Sequence, residues 1–534
     1  MNTRALTAAL LVSVSLIACS PQQEAAKPYQ VEEISLAQIS ADLAAGTTTS
    51  AVVTQAYIER INMYDGPLNA VISIAPDALQ QAAASDARRK DGKALGPLDG
   101  VPILLKDNID AVGMATTAGS YALEQNMPAQ DAEVTRRLKE AGAIILGKAN
   151  TSQWAGFRTT RGLNGSVFGG GTHNPYDLSR TASGSSNGSG IAAAVSFSAA
   201  TVGSDTTGSI VSPSSHNMVV GLRPSVALVS RRGVVPVSLE MDTIGPMGRS
   251  VQDIAILLNV MAGSDAGDPW SKDADANKTD YTKGLSIDAL KGKRLAVMRG
   301  TGGYDEKTQV VLDEALGVLK AQGADLVELP ADVMEDLTQE LRLIMVYNIK
   351  EDMAAYLATA PANIKPRTIA DLMAFNAAHP EESKHGQELF EAAEATTMGR
   401  QNPEYVKTFE YARQRATTNG YDRAFGEFGA SAIVALTVGP AAAIIPDGTG
   451  THVAASRPKG AVPPTVSGTA AIASYPNLSV PMGMVDGLPV GLSFVGPKWS
   501  EAILLAYGFA YEQASKKRTP PTAYKQAAAP PKAN

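Results

Sequence analysis

A mostly apolar run occupies the chain up to Cys19, and from residue 35 onward hydrophobic positions recur three and four apart. That spacing predicts amphipathic helices in "SLAQISADLAAG", "TSAVVTQAYIERINMYDG" and "APDALQQAAASDARRKDG", the first opened by a Ser35/Gln38 capping box. Three helices are thus expected before the first strand. Short apolar runs bounded by turn residues follow in "GVPILLKDN" and "GAIILGKAN", with the helical "DAEVTRRLKEAG" directly ahead of the second. Such alternation predicts an α/β protein: one large domain around a mixed, mostly parallel β-sheet covered by helices on both faces. Residues 155 to 235 read as glycine-rich loop. Beyond them come a helix in "SVQDIAILLNVMAG", a buried strand in "GKRLAVMRG" and a charged, mostly helical layer from about 305 to 430. Strand patterns return in "SAIVALTVGP" and "LPVGLSFVGP", a last helix lies near "SEAILLAYGFAYEQA", and residues 521–534 read as a disordered Pro/Ala tail.

The composition narrows the function. With 534 residues, 44% of them hydrophobic and 19% charged, the chain can bury a large core. A net charge of −7 without a Lys/Arg-rich run removes the attraction on which nucleic-acid binding depends. Arg4 ahead of an apolar run that closes on small residues reads as a secretory signal over residues 1–18, too short to span a bilayer. Cys19 is the only cysteine, which excludes a disulfide within the chain and a structural site built on cysteines. Leu16 to Cys19, "LIAC", resembles a bacterial lipoprotein box. Lipidation at Cys19 is therefore expected, with residues 19–31 tethering a domain of residues 32–520 to a membrane of the cell envelope, in the periplasm.

The candidate chemistry lies in three stretches. Residues 184–188, "GSSNG", match the G-x-S-x-G nucleophile elbow with Ser186 as nucleophile. The elbow needs a buried strand immediately before it, and the polar "NPYDLSRTAS" is not one. Nor does a Ser-His-Asp triad suggest itself: none of the five histidines is a convincing partner, and their spacing forms no metal motif. His173 and His216 fall in the active-looking region and read as structural or pocket-lining. A serine lacking histidine still needs a base, and a lysine kept neutral by burial can serve. Lys106 and Lys148 both directly follow buried-strand patterns. The apolar "VPILL" behind Lys106, and Asp107 and Asn108 at the strand exit, favour Lys106. The small residues at 203 to 209 let the backbone pass close to another group, and successive NH groups in such a turn can form an anion-binding concavity, with Ser209 at its end.

Taken together, "GPLDGVPILLKDNI", "NPYDLSRTASGSSNGSGIAAAV" and "GSDTTGSIVSPSSHNMVVGLRPS" resemble the amidase signature family of serine hydrolases, a likeness running from about residue 32 to about 520. The resemblance implies the amidase signature fold and a Ser-Ser-Lys triad: Ser209 as nucleophile, Ser185 as bridging serine after a cis Gly184–Ser185 peptide, and Lys106 as base. It implies that carboxamides are hydrolysed to carboxylate and ammonia or amine through an acyl-enzyme, with no metal or cofactor. The backbone NH groups of Thr206, Thr207, Gly208 and Ser209 would hold the oxyanion. Three features depart from the commonest pattern: the segment "GSSNGSG", Val211 in place of an arginine, and Gln153 in place of a glutamate. Val211 and the neighbouring "DTIGPMGRSV" are similar to the peptide amidases of the family, which act on C-terminal carboxamides. The expected partner is therefore a small-molecule or peptide amide. The ammonia-delivering component of an amidotransferase that acts on misacylated tRNA is opposed by export and acidity. A catalytically inactive binding lipoprotein is opposed by the intact Lys106, Ser185 and Ser209. Residues 305 to 460, where the substrate pocket is expected, hold no readable specificity motif.

Overall fold

The computed structural model describes residues 29–160, 162–300, 305–446, 448, 451–454 and 465–528. The expected signal, Cys19 and residues 529–534 lie outside them. Eleven strands form one sheet: β1 (Val71–Ile74), β2 (Pro102–Lys106), β3 (Ile144–Ala149), β6 (Ala200–Asp205), β7 (Val220–Arg223), β8 (Thr243–Gly248), β9 (Arg294–Met298), β10 (Asp325–Glu328), β11 (Ala432–Leu436), β14 (Asn477–Val485) and β15 (Leu488–Val495). Two small ribbons complete the strands, β4 (Gly165–Ser166) with β5 (Gly170–Gly171) and β12 (Ile444–Pro446) with β13 (His452–Ala454). The sheet order is β1-β3-β2-β6-β8-β7-β14-β15-β11-β9-β10, which places β2 beside β6 and so brings Lys106 next to the strand that leads toward Ser209.

The fold is α/β with a mixed sheet, but the sheet is not mostly parallel. Six of its ten neighbouring pairs are antiparallel and four are parallel. Parallel neighbours need a long crossover, so a connection too short for one forces an antiparallel pair. The clearest case is β14 to β15, joined by Asp486 and Gly487 alone with φ of 50° and 79°. Both central residues have positive φ, the backbone of a tight hairpin turn whose Asp-Gly pair is the strongest short-range hairpin signal.

Three other expectations are corrected. The first strand is β1, which precedes the third helix, Ala78–Lys90; four half-buried residues at a sheet edge leave too short an alternation to stand out in the sequence. At the N-terminal end of the fold, Tyr29 and Val31 belong to the packed structure and not to a tether: the Tyr29 hydroxyl donates to Asp42 at 2.6 Å, and Val31 is buried. The tail reading fails over its described part, because Ala523–Ala528 is helical. Tyr524 is buried there, edge-on to Tyr64 with ring centroids 5.6 Å apart, and its hydroxyl accepts from Arg60 at 2.7 Å.

Burial on both faces of the sheet explains the near-continuous apolar character of its inner strands. Every residue of β2, β3, β6, β8 and β15 is buried. The expected helical layer at 305–430 has two parts. The helix Glu306–Ala321 and β10 pack with the sheet, the helices from Thr338 to Ala416 form two separate apolar clusters, and Asp422–Gly426 packs on β9, β11 and β15. One of the two clusters joins Ile349, Met353 and Leu357 to Trp154 and Phe157 from the loop-rich region. Among the described residues, no helix is long and apolar enough to cross a membrane.

Candidate active site

Lys106 ends β2, and its side chain is completely buried. The amine lies 2.7 Å from Ser185 Oγ, 2.9 Å from Ser204 Oγ and 3.3 Å from the Ser204 carbonyl oxygen. As an ammonium it donates to all three; a neutral amine, with two N–H donors and one lone pair, can donate twice toward Ser204 and accept from Ser185. Burial lowers the pKa from 10.5 to about 7, against the opposing pull of the Asp205 and Asp242 carboxylates. At 1.36 kcal/mol per unit, that favours the uncharged form by roughly 5 kcal/mol relative to a solvated lysine. Asp107 does not restore the charge. Successive strand side chains point to opposite faces, and Asp107 turns to Thr117 and Lys148.

The peptide Gly184–Ser185 is cis, and Ser185 is buried. The next NH, of Ser186, donates to the Ser209 carbonyl at 3.1 Å, so the two serine-bearing segments lie directly against each other. The helix Asn187–Ala194 starts here, and its glycines permit the contact. A Cβ on Gly188 would stand 2.4 Å from both the Ala70 carbonyl oxygen and the Asn150 nitrogen, which only glycine avoids. Ser186 is no elbow nucleophile in this geometry: no strand leads into it, and its buried hydroxyl donates to the Ser204 carbonyl at 3.0 Å.

The turn after β6 carries Ser209. Gly208 has φ of 128°, a backbone that disfavours any side chain. Two buried carboxylates shape this turn. Asp205 accepts from the Gly208 and Ile210 NH groups, each at 2.7 Å, and Asp242 accepts from the Thr206 hydroxyl at 2.7 Å. The Gly208 NH is therefore occupied, a correction to its expected place in the oxyanion hole. Among the described residues, nothing accepts from the NH groups of Thr206, Thr207 or Ser209. Arg223, fully buried on β7, fastens the turn from behind. One of its nitrogens reaches the Asp205 carboxylate at 2.7 Å, the Asp205 carbonyl at 2.9 Å and the Thr206 carbonyl at 3.2 Å. Ser209, Thr206 and Thr207 open onto a cleft of 220 Å3 whose walls include Phe157, Val237, Met345 and Leu389.

The remaining sequence candidates have structural partners. Lys148 is buried and gives its protons to the Ile109 carbonyl at 2.6 Å and Thr116 Oγ1 at 3.0 Å, with Asp107 at 3.4 Å. His173 meets the Leu178 carbonyl at 2.7 Å and His216 the Gly439 carbonyl at 2.9 Å, ties that hold loops. Among the described residues, no cluster of His, Cys, Asp and Glu is arranged to hold a metal ion. Gln153, the departure from the family pattern, donates to Glu382 at 2.8 Å, and Glu382 pairs with the buried Arg158. A carboxylate from the helical layer thus stands where position 153 supplies none. Sequence reading missed Ser204, Asp205, Arg223 and Asp242. Ser204 falls within the run of small residues at 203 to 209, and nothing marked Arg223 on β7 or Asp242 just before β8.

The chain resembles known proteins over most of its length. The family model described as Amidase matches residues 52–505. A probable amidase of Arabidopsis thaliana is 35% identical over 97% of this chain and 96% of its own. The crystal structure of a native peptide amidase from Stenotrophomonas maltophilia superposes with a TM-score of 0.84 at 40% identity, covering 92% of this chain and 98% of that one. A glutamyl-tRNA(Gln) amidotransferase component of Thermoanaerobacter pseudethanolicus is 32% identical over 88% of this chain and 94% of its own. The chain belongs to the amidase signature family. It is an amide-hydrolysing enzyme.

Proposed function

We propose that the enzyme hydrolyses carboxamides through an acyl-enzyme on Ser209, with Ser185 relaying protons to Lys106, and that C-terminal peptide amides are its substrates. The observation that carries this reading is the buried Lys106 amine, its pKa lowered to about 7, held 2.7 Å from Ser185 Oγ. In the first step Lys106 takes the Ser185 proton while Ser185 takes that of Ser209, whose oxygen attacks the amide carbonyl. The NH groups of Thr206, Thr207 and Ser209 face the developing oxyanion, each donor contributing about 3–4 kcal/mol in comparable sites. The relay then protonates the departing nitrogen, and water attacks the ester to release the carboxylate and restore Ser209. The likeness to a peptide amidase at 40% identity supports the substrate class over the amidotransferase alternative, matched at 32%.

Ammonia release from peptide, aliphatic and aryl amides and ureas tests the proposal. Peptide amides are expected to turn over fastest. Ser209→Ala is expected to lower kcat by about 10⁴-fold or more, whereas Ser186→Ala retains turnover. A dead Ser186→Ala beside an active Ser209→Ala would transfer the nucleophile's role to Ser186. We also propose that Cys19 is lipidated and anchors the enzyme in the cell envelope. Mass spectrometry of the mature N-terminus is expected to find an acylated Cys19, and a free thiol there would reject the anchor.

A further inference from the structure

One arginine among the described residues is left without a partner. Every other described arginine makes a hydrogen bond or an ion pair. Arg342, in the first turns of the helix Thr338–Thr359, makes neither with any described residue, and it lines the cleft onto which Ser209 opens. Among the described residues that line the cleft, none offers it a counter-charge. Its walls are hydroxyls, glycines and the apolar side chains of Phe157, Val237, Met345 and Leu389. The acid beside the wall, Glu388, accepts instead from the Thr160 NH at 3.2 Å.

A guanidinium is a rigid fork of donors suited to a carboxylate, and beside apolar walls it attracts an anion more strongly than it would in open water. We propose that Arg342 selects substrates by charge: the preferred carboxamide carries a carboxylate in its acyl part, next to an apolar group that fills the cleft. For a peptide amide, this is an acidic residue immediately before an apolar C-terminal residue. The inference rests on the catalytic reading above and names the substrate class of the same site. Arg342 is exposed and makes no hydrogen bond or ion pair with a described residue, so its replacement is expected to leave the structure and the triad intact.

Blocked dipeptide amides test this, with glutamate, glutamine or lysine preceding a leucine amide. The wild-type enzyme is expected to favour glutamate over glutamine by about tenfold in kcat/KM, mainly through KM, and less at higher ionic strength. Arg342→Gln is expected to abolish that ratio while keeping turnover of the glutamine peptide, and Arg342→Glu to shift the preference to lysine. An unchanged ratio in Arg342→Gln overturns the proposal, as does an equal loss for glutamate and glutamine peptides. Binding to Ser209→Ala, with and without Arg342→Gln, separates the two readings. An Arg342-dependent affinity for the glutamate peptide, alongside a wild-type protein that hydrolyses none of the amides, upholds the inference and ends the proposed reaction. Turnover without charge discrimination does the reverse.

Discussion

Lys106 decides the pH behaviour at the scale of a single residue. In the proposed mechanism its proton-free form is the reactive one, and burial brings the pKa down to about 7. Activity is therefore expected to be full above that value and to fall as pH drops through about 7, because protonation turns the acceptor into a donor. A kcat/KM profile checks this. Lys106→Ala is expected to abolish turnover, while Lys148→Ala keeps the same acid limb at reduced stability, since it leaves the buried Asp107 carboxylate without its cation. An acid limb that vanishes in Lys148→Ala would make that lysine the base. The sequence narrowed the base to two lysines. Local context already favoured Lys106, and the structure adds what each faces across the sheet: two serines for one, two oxygen acceptors and an aspartate for the other.

Among the elements, the turn between β6 and the helix Val211–His216 carries the most chemistry and borrows its rigidity from elsewhere. Arg223 and Asp205 are both inaccessible to solvent, and their contact anchors the backbone whose NH groups line the cleft. Replacing Arg223 by methionine strands a buried carboxylate, which typically costs about 3–5 kcal/mol. Arg223→Met is expected to lower the urea midpoint accordingly and to reduce kcat more than it raises KM, because the oxyanion donors lose their alignment. A folded variant with normal kcat would show that the turn holds its shape unaided. The helix caps tell a smaller version of the same story. Ser35 accepts from the Gln38 NH as expected, but the Gln38 side chain turns to Asp42 instead of completing the box, since a second acceptor lies within its reach.

Across the whole molecule, the two ends of the described chain meet. Lys525 pairs with Glu32, Arg518 with Glu33 at 2.7 Å, and Tyr524 packs on Tyr64. Removal of residues 521–534 is expected to lower Tm, and Tyr524→Ala to reproduce most of that loss, about 2–5 kcal/mol for a buried aromatic. An unchanged Tm on truncation would return the segment to the tail that its composition suggests. Its alanines and prolines carry no periodic apolar stripe, and one buried tyrosine is enough to dock so short a helix.

The buried strands β2, β3, β9, β11 and β15, the amphipathic helices and the three motif stretches were legible in the sequence by itself, because each is a local pattern of polarity or of small residues, whereas the buried β6 and β7 lay in the stretch read as glycine-rich loop. The preference for a lysine over a histidine as candidate base is likewise a reading of the sequence alone, since no histidine lies in a suitable context. Strand direction, the partners of the turn after β6, and the lone charge on the cleft wall were decided by tertiary structure. The physical reason is range. A periodicity is written within a dozen residues, whereas the pKa of Lys106 and the occupation of the Gly208 NH depend on atoms a few ångströms away that belong to segments about a hundred residues distant or, for Asp205, to the same turn only after Arg223 has fixed it.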